Sequence, residues 1–162
     1  MNQIPDRLDF YRMLERDMPQ AVARINGNSR VTPLTGFVRF FEVPGGGVLI
    51  EAALYGLPQG KTAPENRFYG FHIHETGDCS DNFTRTGNHY NPSGNEHPMH
   101  AGDLLPIMSA DGNGWMVFYD SKLTIPQVVG RSVVVHGMPD DFTTQPSGNS
   151  GDKIGCGVIF AT

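Results

Sequence analysis

Residues 70–79, "GFHIHETGDC", decide how this chain is read, because they set two histidines on either side of one isoleucine. In an extended strand, side chains two apart point to the same face, so His72 and His74 share a face with about 6.6 Å of backbone between them. Two imidazoles so placed can converge on one metal ion. The pair alone is equally the half-buried face of an ordinary strand, so the surrounding sequence has to choose between the two.

Short apolar runs of the same kind occupy most of the chain. They are "AVARI" (21–25), "GFVRFFEV" (36–43), "GVLIEAALYG" (47–56), "YGFHIHE" (69–75), "DLLPIMS" (103–109), "GWMVFYD" (114–120), "RSVVVHG" (131–137) and "IGCGVIFA" (154–161). That makes about eight strands, and the 20 glycines and 12 prolines that punctuate them predict an all-β sandwich or barrel. "PGGG" (44–47) and "DGNG" (111–114) read as hairpin turns, since glycine and asparagine tolerate the positive φ such turns require. One helix is expected over 5–18: Asp6 can cap it, Leu8, Tyr11, Leu14 and Met18 repeat at helical spacing, and Pro19 ends it. The organisation is thus a helical extension over residues 1–19 and one domain over 20–162. Segments 57–69, 76–102 and 137–153 remain as long loops, which compact domains seldom keep without a use.

A chain of 162 residues, 38% hydrophobic and 18% charged, fits a soluble globular domain. The net charge of −5 argues against nucleic acid as a partner, which would need a basic surface. No apolar run spans a bilayer, and "MNQIPDRLDF" lacks a basic start and apolar centre, so a cytoplasmic location is expected, or a periplasmic or secreted one with the signal removed. Cys79 and Cys156, the only two cysteines, could form a disulfide, be buried small residues, or be unrelated.

Six histidines are only slightly more than chance gives in this length, but five of them fall between positions 72 and 100. His89 stands in "GNHYNP", and "HPMHAGD" places His97, His100 and Asp103 at spacings of three. Two imidazoles and a carboxylate supply the donors that zinc takes at about 2.0 to 2.2 Å, and one more histidine would complete a tetrahedral site. His136 closes the run "SVVVH".

In that order, "GFHIHETGDC", "GNHYNP", "HAGDL", "VVGRSVVVHG" and "CGVIF" resemble the copper/zinc superoxide dismutase family, and the likeness runs from about Ala21 to the C-terminus. The resemblance implies an eight-stranded Greek-key β-barrel with copper ligands His72, His74, His89 and His136. It implies zinc ligands His89, His97, His100 and Asp103, so that His89 serves both ions as an imidazolate. Asp140, four residues past His136, resembles the aspartate that links a copper-side to a zinc-side histidine, and Cys79 is implied to bond Cys156. The implied activity is dismutation of superoxide anion by a copper centre cycling between Cu(II) and Cu(I), beside a structural zinc, with His89 returning a proton. A copper-delivery protein and a second copy in a homodimer are the partners the family suggests.

The chain departs from the family in three places. "GDKIGCGV" carries Lys153 three residues before Cys156, where an arginine is usual; lysine keeps the charge that attracts an anion but lacks the planar fork that orients one. A slower enzyme is expected, by on the order of tenfold for one oriented hydrogen bond of about 1.4 kcal/mol. Only Pro98 and Met99 separate His97 from His100, a shortened loop that predicts altered zinc affinity or geometry. Residues 57–69, with Lys61 and Arg67, form an insertion before the first copper ligand. The alternative function is a dismutase-like copper- and zinc-binding protein with little or no turnover.

Overall fold

The computed structural model describes residues 4–59 and 67–162. Its strands are β1 (Ala21–Gly27), β2 (Thr35–Glu42), β3 (Val48–Tyr55), β4 (Phe68–Tyr69), β5 (Phe71–His74), β6 (Ile107–Met108), β7 (Asn113–Asp120), β8 (Ser132–His136) and β9 (Lys153–Ala161). All pair antiparallel, seven in the order β5-β8-β9-β1-β2-β3-β7, with β4 and β6 as a separate pair. Only Gly70 separates β4 from β5, and the Ala110–Asn113 bridge joins β6 to β7. Taking β4 and β5 as one bent strand, the circuit of neighbours closes on itself with the expected eight members. The fold is all-β, a curled antiparallel barrel thinnest at the two-residue β6. Strand "DLLPIMS" is reduced to Ile107–Met108 because Pro106 offers no N–H to a ladder.

Alternation puts one face of each strand inside. Ile25, Val38, Phe40, Ile50, Leu54, Phe71, Ile73, Val133, Val135 and Ile159 are all fully buried in one cluster. At the β6–β7 turn the positive φ values fall on Asp111 (51°) and Gly112 (79°), within the expected "DGNG" turn.

The N-terminal helix α1 runs from Arg7 to Arg16, with the Asp6 side chain accepting a 2.8 Å bond from the Leu8 N–H. Its buried face shares only Leu14 with the expected stripe. Phe10, Met13 and Leu14 pack on Phe41, Val43 and Leu49 of the outer sheet face, while Leu8, Tyr11 and Met18 stand exposed. The reason is local: Phe41, Leu49 and Tyr119 leave an apolar ledge that accepts the Phe10–Met13–Leu14 side of the helix, and Phe10 meets the Tyr119 ring at 5.5 Å. A second short helix, α2 (Ile125–Val128), starts at Thr124 with a Thr124–Gln127 capping box.

Of the insertion, Lys61 lies outside the described residues; Arg67 gives its carbonyl to the Ser109 N–H at 2.7 Å.

Candidate metal centre

Strand β5 sends Ile73 into the core and turns His72 and His74 to its other face, where the long loops cover them; all four residues of the strand are buried. The loop 76–102 is stitched to this strand by backbone bonds. Tyr90 N–H donates to Ile73 O at 2.8 Å, Ile73 N–H to Gly102 O at 2.8 Å, and Gly102 N–H to Tyr90 O at 2.9 Å. These bonds set His89 beside His74 and Asp103 beside His72. His136 ends β8 next to the start of β5, its N–H on Gly70 O at 2.8 Å.

Two donor groups result. His72, His74, His89 and His136 bring one ring nitrogen each within 4.8 Å of the others, and His89, His97, His100 and Asp103 do the same with their nitrogens and a carboxylate oxygen. His89 belongs to both. The six histidines and the carboxylate expected to meet therefore do meet, and no other such group occurs among the described residues.

Hydrogen bonds on the far side of each ring decide which nitrogen is left. His74 Nδ1–H donates to Gly87 O at 3.0 Å and His136 Nδ1–H to Gly151 O at 3.2 Å. Their Nε2 atoms are then bare lone pairs, facing each other at 3.2 Å. Two such lone pairs repel unless a cation lies between them, and two donors on a tetrahedral ion with bonds of about 2.0 Å stand about 3.3 Å apart. Asp140 takes the Nε2–H of His72 on one oxygen at 2.7 Å and that of His97 on the other at 2.8 Å. These two bonds are the link that the resemblance implied for Asp140. His72 Nδ1, His89 Nε2, His97 Nδ1 and His100 Nδ1 are buried without a hydrogen bond, although His97 Nδ1 and His100 Nδ1 lie 3.1 and 3.2 Å from Asp103 Oδ2, as donors crowded round one centre would. So many unsatisfied buried nitrogens in one place point to an ion as their partner.

The protonation states agree. Burial pushes His74 down to about 2 and His136 down to about 3, each helped by the neighbouring imidazoles, and burial lowers His72 as well. Neutral rings are what metal ligation needs. Burial opposes ionisation of Asp140, but the bonds from His72, His97 and the Phe142 N–H outweigh it and hold the carboxyl at about 2. Asp103 is likewise lowered against its burial, by the His89 bond and the surrounding histidines.

A cavity of about 540 Å³ opens onto both groups, touching His74, His89 and His136 of one and His89 and His100 of the other. Among its described lining residues Lys153 is the one cation, and Glu75 and Glu96 are the acids. Lys153 Nζ gives two of its donors to Thr86 Oγ1 at 2.8 Å and Gly87 O at 2.9 Å. Burial lowers its pKa, opposed by the Glu75 charge. Cys79 is disulfide-bonded to Cys156, with Cα atoms 5.8 Å apart, which fastens the start of the loop 76–102 to β9.

A family profile described as "Copper/zinc superoxide dismutase (SODC)" matches residues 34–159. The chain belongs to the copper/zinc superoxide dismutase family. Relatives within reach of this family include the copper chaperones for superoxide dismutase of Homo sapiens and of Sus scrofa. Each is 32% identical over 157 residues, with 89% of this chain and 54% of the relative covered. The chain thus spans about half the length of the curated relatives it matches. Among solved structures, the clock protein EA4 is similar, with a TM-score of 0.74 and 29% identity over 89% of this chain and 96% of that one.

Several residues that shape the site are not among the expected site residues. Thr86 and Gly87 receive Lys153, and Gly87 also fixes the tautomer of His74; Gln145 binds the backbone of His97 through both ends of its amide. Thr86 and Gln145 act through side chains that reach a distant lysine and a distant backbone, Gly87 acts through its carbonyl, and no periodicity or spacing marks these contacts.

Proposed function

We propose that the chain binds copper in the four-histidine group and zinc in the His89–His97–His100–Asp103 group, and that it dismutates superoxide. The observation that carries this reading is the bare Nε2 pair of His74 and His136, sharing a centre with His89 at the floor of a solvent cavity that holds Lys153. Copper, when bound, supplies one-electron chemistry between Cu(II) and Cu(I), so that two superoxide anions and two protons become one dioxygen and one hydrogen peroxide.

The chain's own residues do the remainder. His72, His74 and His136 hold fixed tautomers through Asp140, Gly87 and Gly151 and so keep one nitrogen each free of protons. His89 presents Nε2 to the copper-side group, where it holds a proton between the two halves of the cycle and returns it to the product. Lys153 keeps one ammonium hydrogen for an incoming anion after Thr86 and Gly87 take the other two. Zinc has no redox chemistry; His97, His100 and Asp103 would hold it so that His89 stays placed.

A second reading has its own support. The named relatives are copper chaperones, the lone cation of the cavity is tied down, and Glu75 and Glu96 offset its charge. On this reading copper is cargo, passed to or from a protein partner, and turnover is slight. Superoxide decay measured by pulse radiolysis on copper-loaded protein, beside a His136→Ala control, separates the two. Rapid decay abolished in the control supports dismutation; equal, slow decay in both supports the chaperone reading.

A further inference from the structure

Every ligand of the two groups but one is anchored to the barrel. His72, His74 and His136 lie in strands, His89 is bridged to His74, and Asp103 is bridged to His72 and caps the His100 N–H at 3.0 Å. His97 has no ladder bond. Its backbone N–H donates to Gln145 Oε1 at 2.9 Å and its carbonyl accepts from Gln145 Nε2 at 2.7 Å. Its ring Nε2 goes to Asp140 of the same 137–153 loop. The side-chain amide of Gln145 thus imitates a neighbouring strand, satisfying both backbone groups of a buried residue.

We infer that Gln145 is a positioning residue for zinc: its bidentate clasp fixes His97, and with it the Nδ1 that faces the zinc group. This deepens the proposed reading of that group and rests on it. The shortened His97–His100 connection leaves His97 without a longer loop to fold back on itself, and the clasp from the opposite loop takes over that duty. Because Gln145 also lines the cavity, the same bond fixes one wall of the approach to the copper side. No other side chain among the described residues bonds both backbone groups of a candidate ligand.

The test is zinc affinity of the full chain, by competition with a colorimetric chelator, together with the visible spectrum of the Co(II)-substituted protein. Wild type, Gln145→Leu, Gln145→Glu and Asp103→Ala are compared. Gln145→Leu is expected to weaken zinc by roughly 10- to 100-fold and to alter the Co(II) bands, with copper affinity within about twofold of wild type. Gln145→Glu keeps the acceptor for the His97 N–H but loses the donor, and should fall between; it also serves if the leucine variant does not fold. Unchanged zinc affinity and Co(II) bands in both Gln145 variants, with Asp103→Ala losing zinc, would overturn the role of Gln145 alone. Equal zinc binding by wild type and Asp103→Ala would overturn the zinc reading beneath it.

Discussion

Gly148 stands where any side chain would strike Asp140: a Cβ at this position would lie 1.9 Å from Asp140 Oδ1 and 2.6 Å from His97 Nε2. Its φ of +66° also favours glycine. The carboxylate that ties His72 to His97 therefore depends on a missing methyl group. Gly148→Ala is expected to break the Asp140–His97 bond and to weaken zinc retention by about 10-fold or more, as loss of an outer-shell carboxylate contact commonly does. Chelator competition checks this; wild-type retention would show that the loop gives way at no cost to the site.

Lys153 offers a second test. Replacing it with arginine keeps the charge and adds a planar fork, so if superoxide is turned over, Lys153→Arg should raise the rate by about tenfold, the worth of one oriented hydrogen bond of roughly 1.4 kcal/mol. Lys153→Met removes both the charge and the bonds to Thr86 and Gly87 and should lower it. Pulse radiolysis reads both, and an arginine variant no faster than wild type would show that the lysine is no handicap.

The buried histidines set a pH dependence for the metal-free protein. His74 and His136 titrate near 2 and 3 when folded, below their ordinary value of 6.5, so the unfolded chain takes up their protons first. Stability is full above about 6.5 and falls as the pH drops from there toward 3, by about 1.4 kcal/mol per pH unit for each group. Asp140, held near 2 against an ordinary 3.8, adds to the loss below about 4. Urea midpoints of apo-protein should fall steeply between pH 7 and pH 5; a flat profile would mean that the rings are solvated or already charged.

The disulfide closes a sequence separation of 77 residues, for which chain entropy gives about 4.5 kcal/mol. Cys79→Ser with Cys156→Ser should lower the melting temperature by roughly 10 °C or more at this chain length. It should also loosen the turn over Asp81–Thr86, whose Phe83 packs on Cys156 and Val134. Differential scanning calorimetry checks the first effect, and faster amide exchange at Phe83 to Gly87 the second.

How much of this was legible in the sequence follows from where each contact is made. The strand period orients His72 and His74, and the spacing of His97, His100 and Asp103 suggests a metal site, but the full set of donors is implied only by the family resemblance. Asp140, four residues past His136, is implied by that resemblance as well. Capping and periodicity place the helix nearly to its ends but give only Leu14 of its buried stripe, because which face packs is chosen by the ledge at Phe41, Leu49 and Tyr119 and not by the helix itself. Gly87, Gln145 and Gly148 are not marked in the sequence: Gly87 acts through its carbonyl, Gln145 through an amide that reaches another loop's backbone, and Gly148 through the space it leaves, and these contacts exist only once distant segments meet.

The proposed centre requires two ions to share His89. Loading the apo-protein with two equivalents of Cu(II) and recording its electron paramagnetic resonance tests this most directly, because two Cu(II) ions joined through one imidazolate couple their spins. Two coppers bound per chain are expected with most of the signal lost, and the signal should return as two independent centres in His89→Ala. A full two-copper signal from the wild-type chain would contradict the shared site.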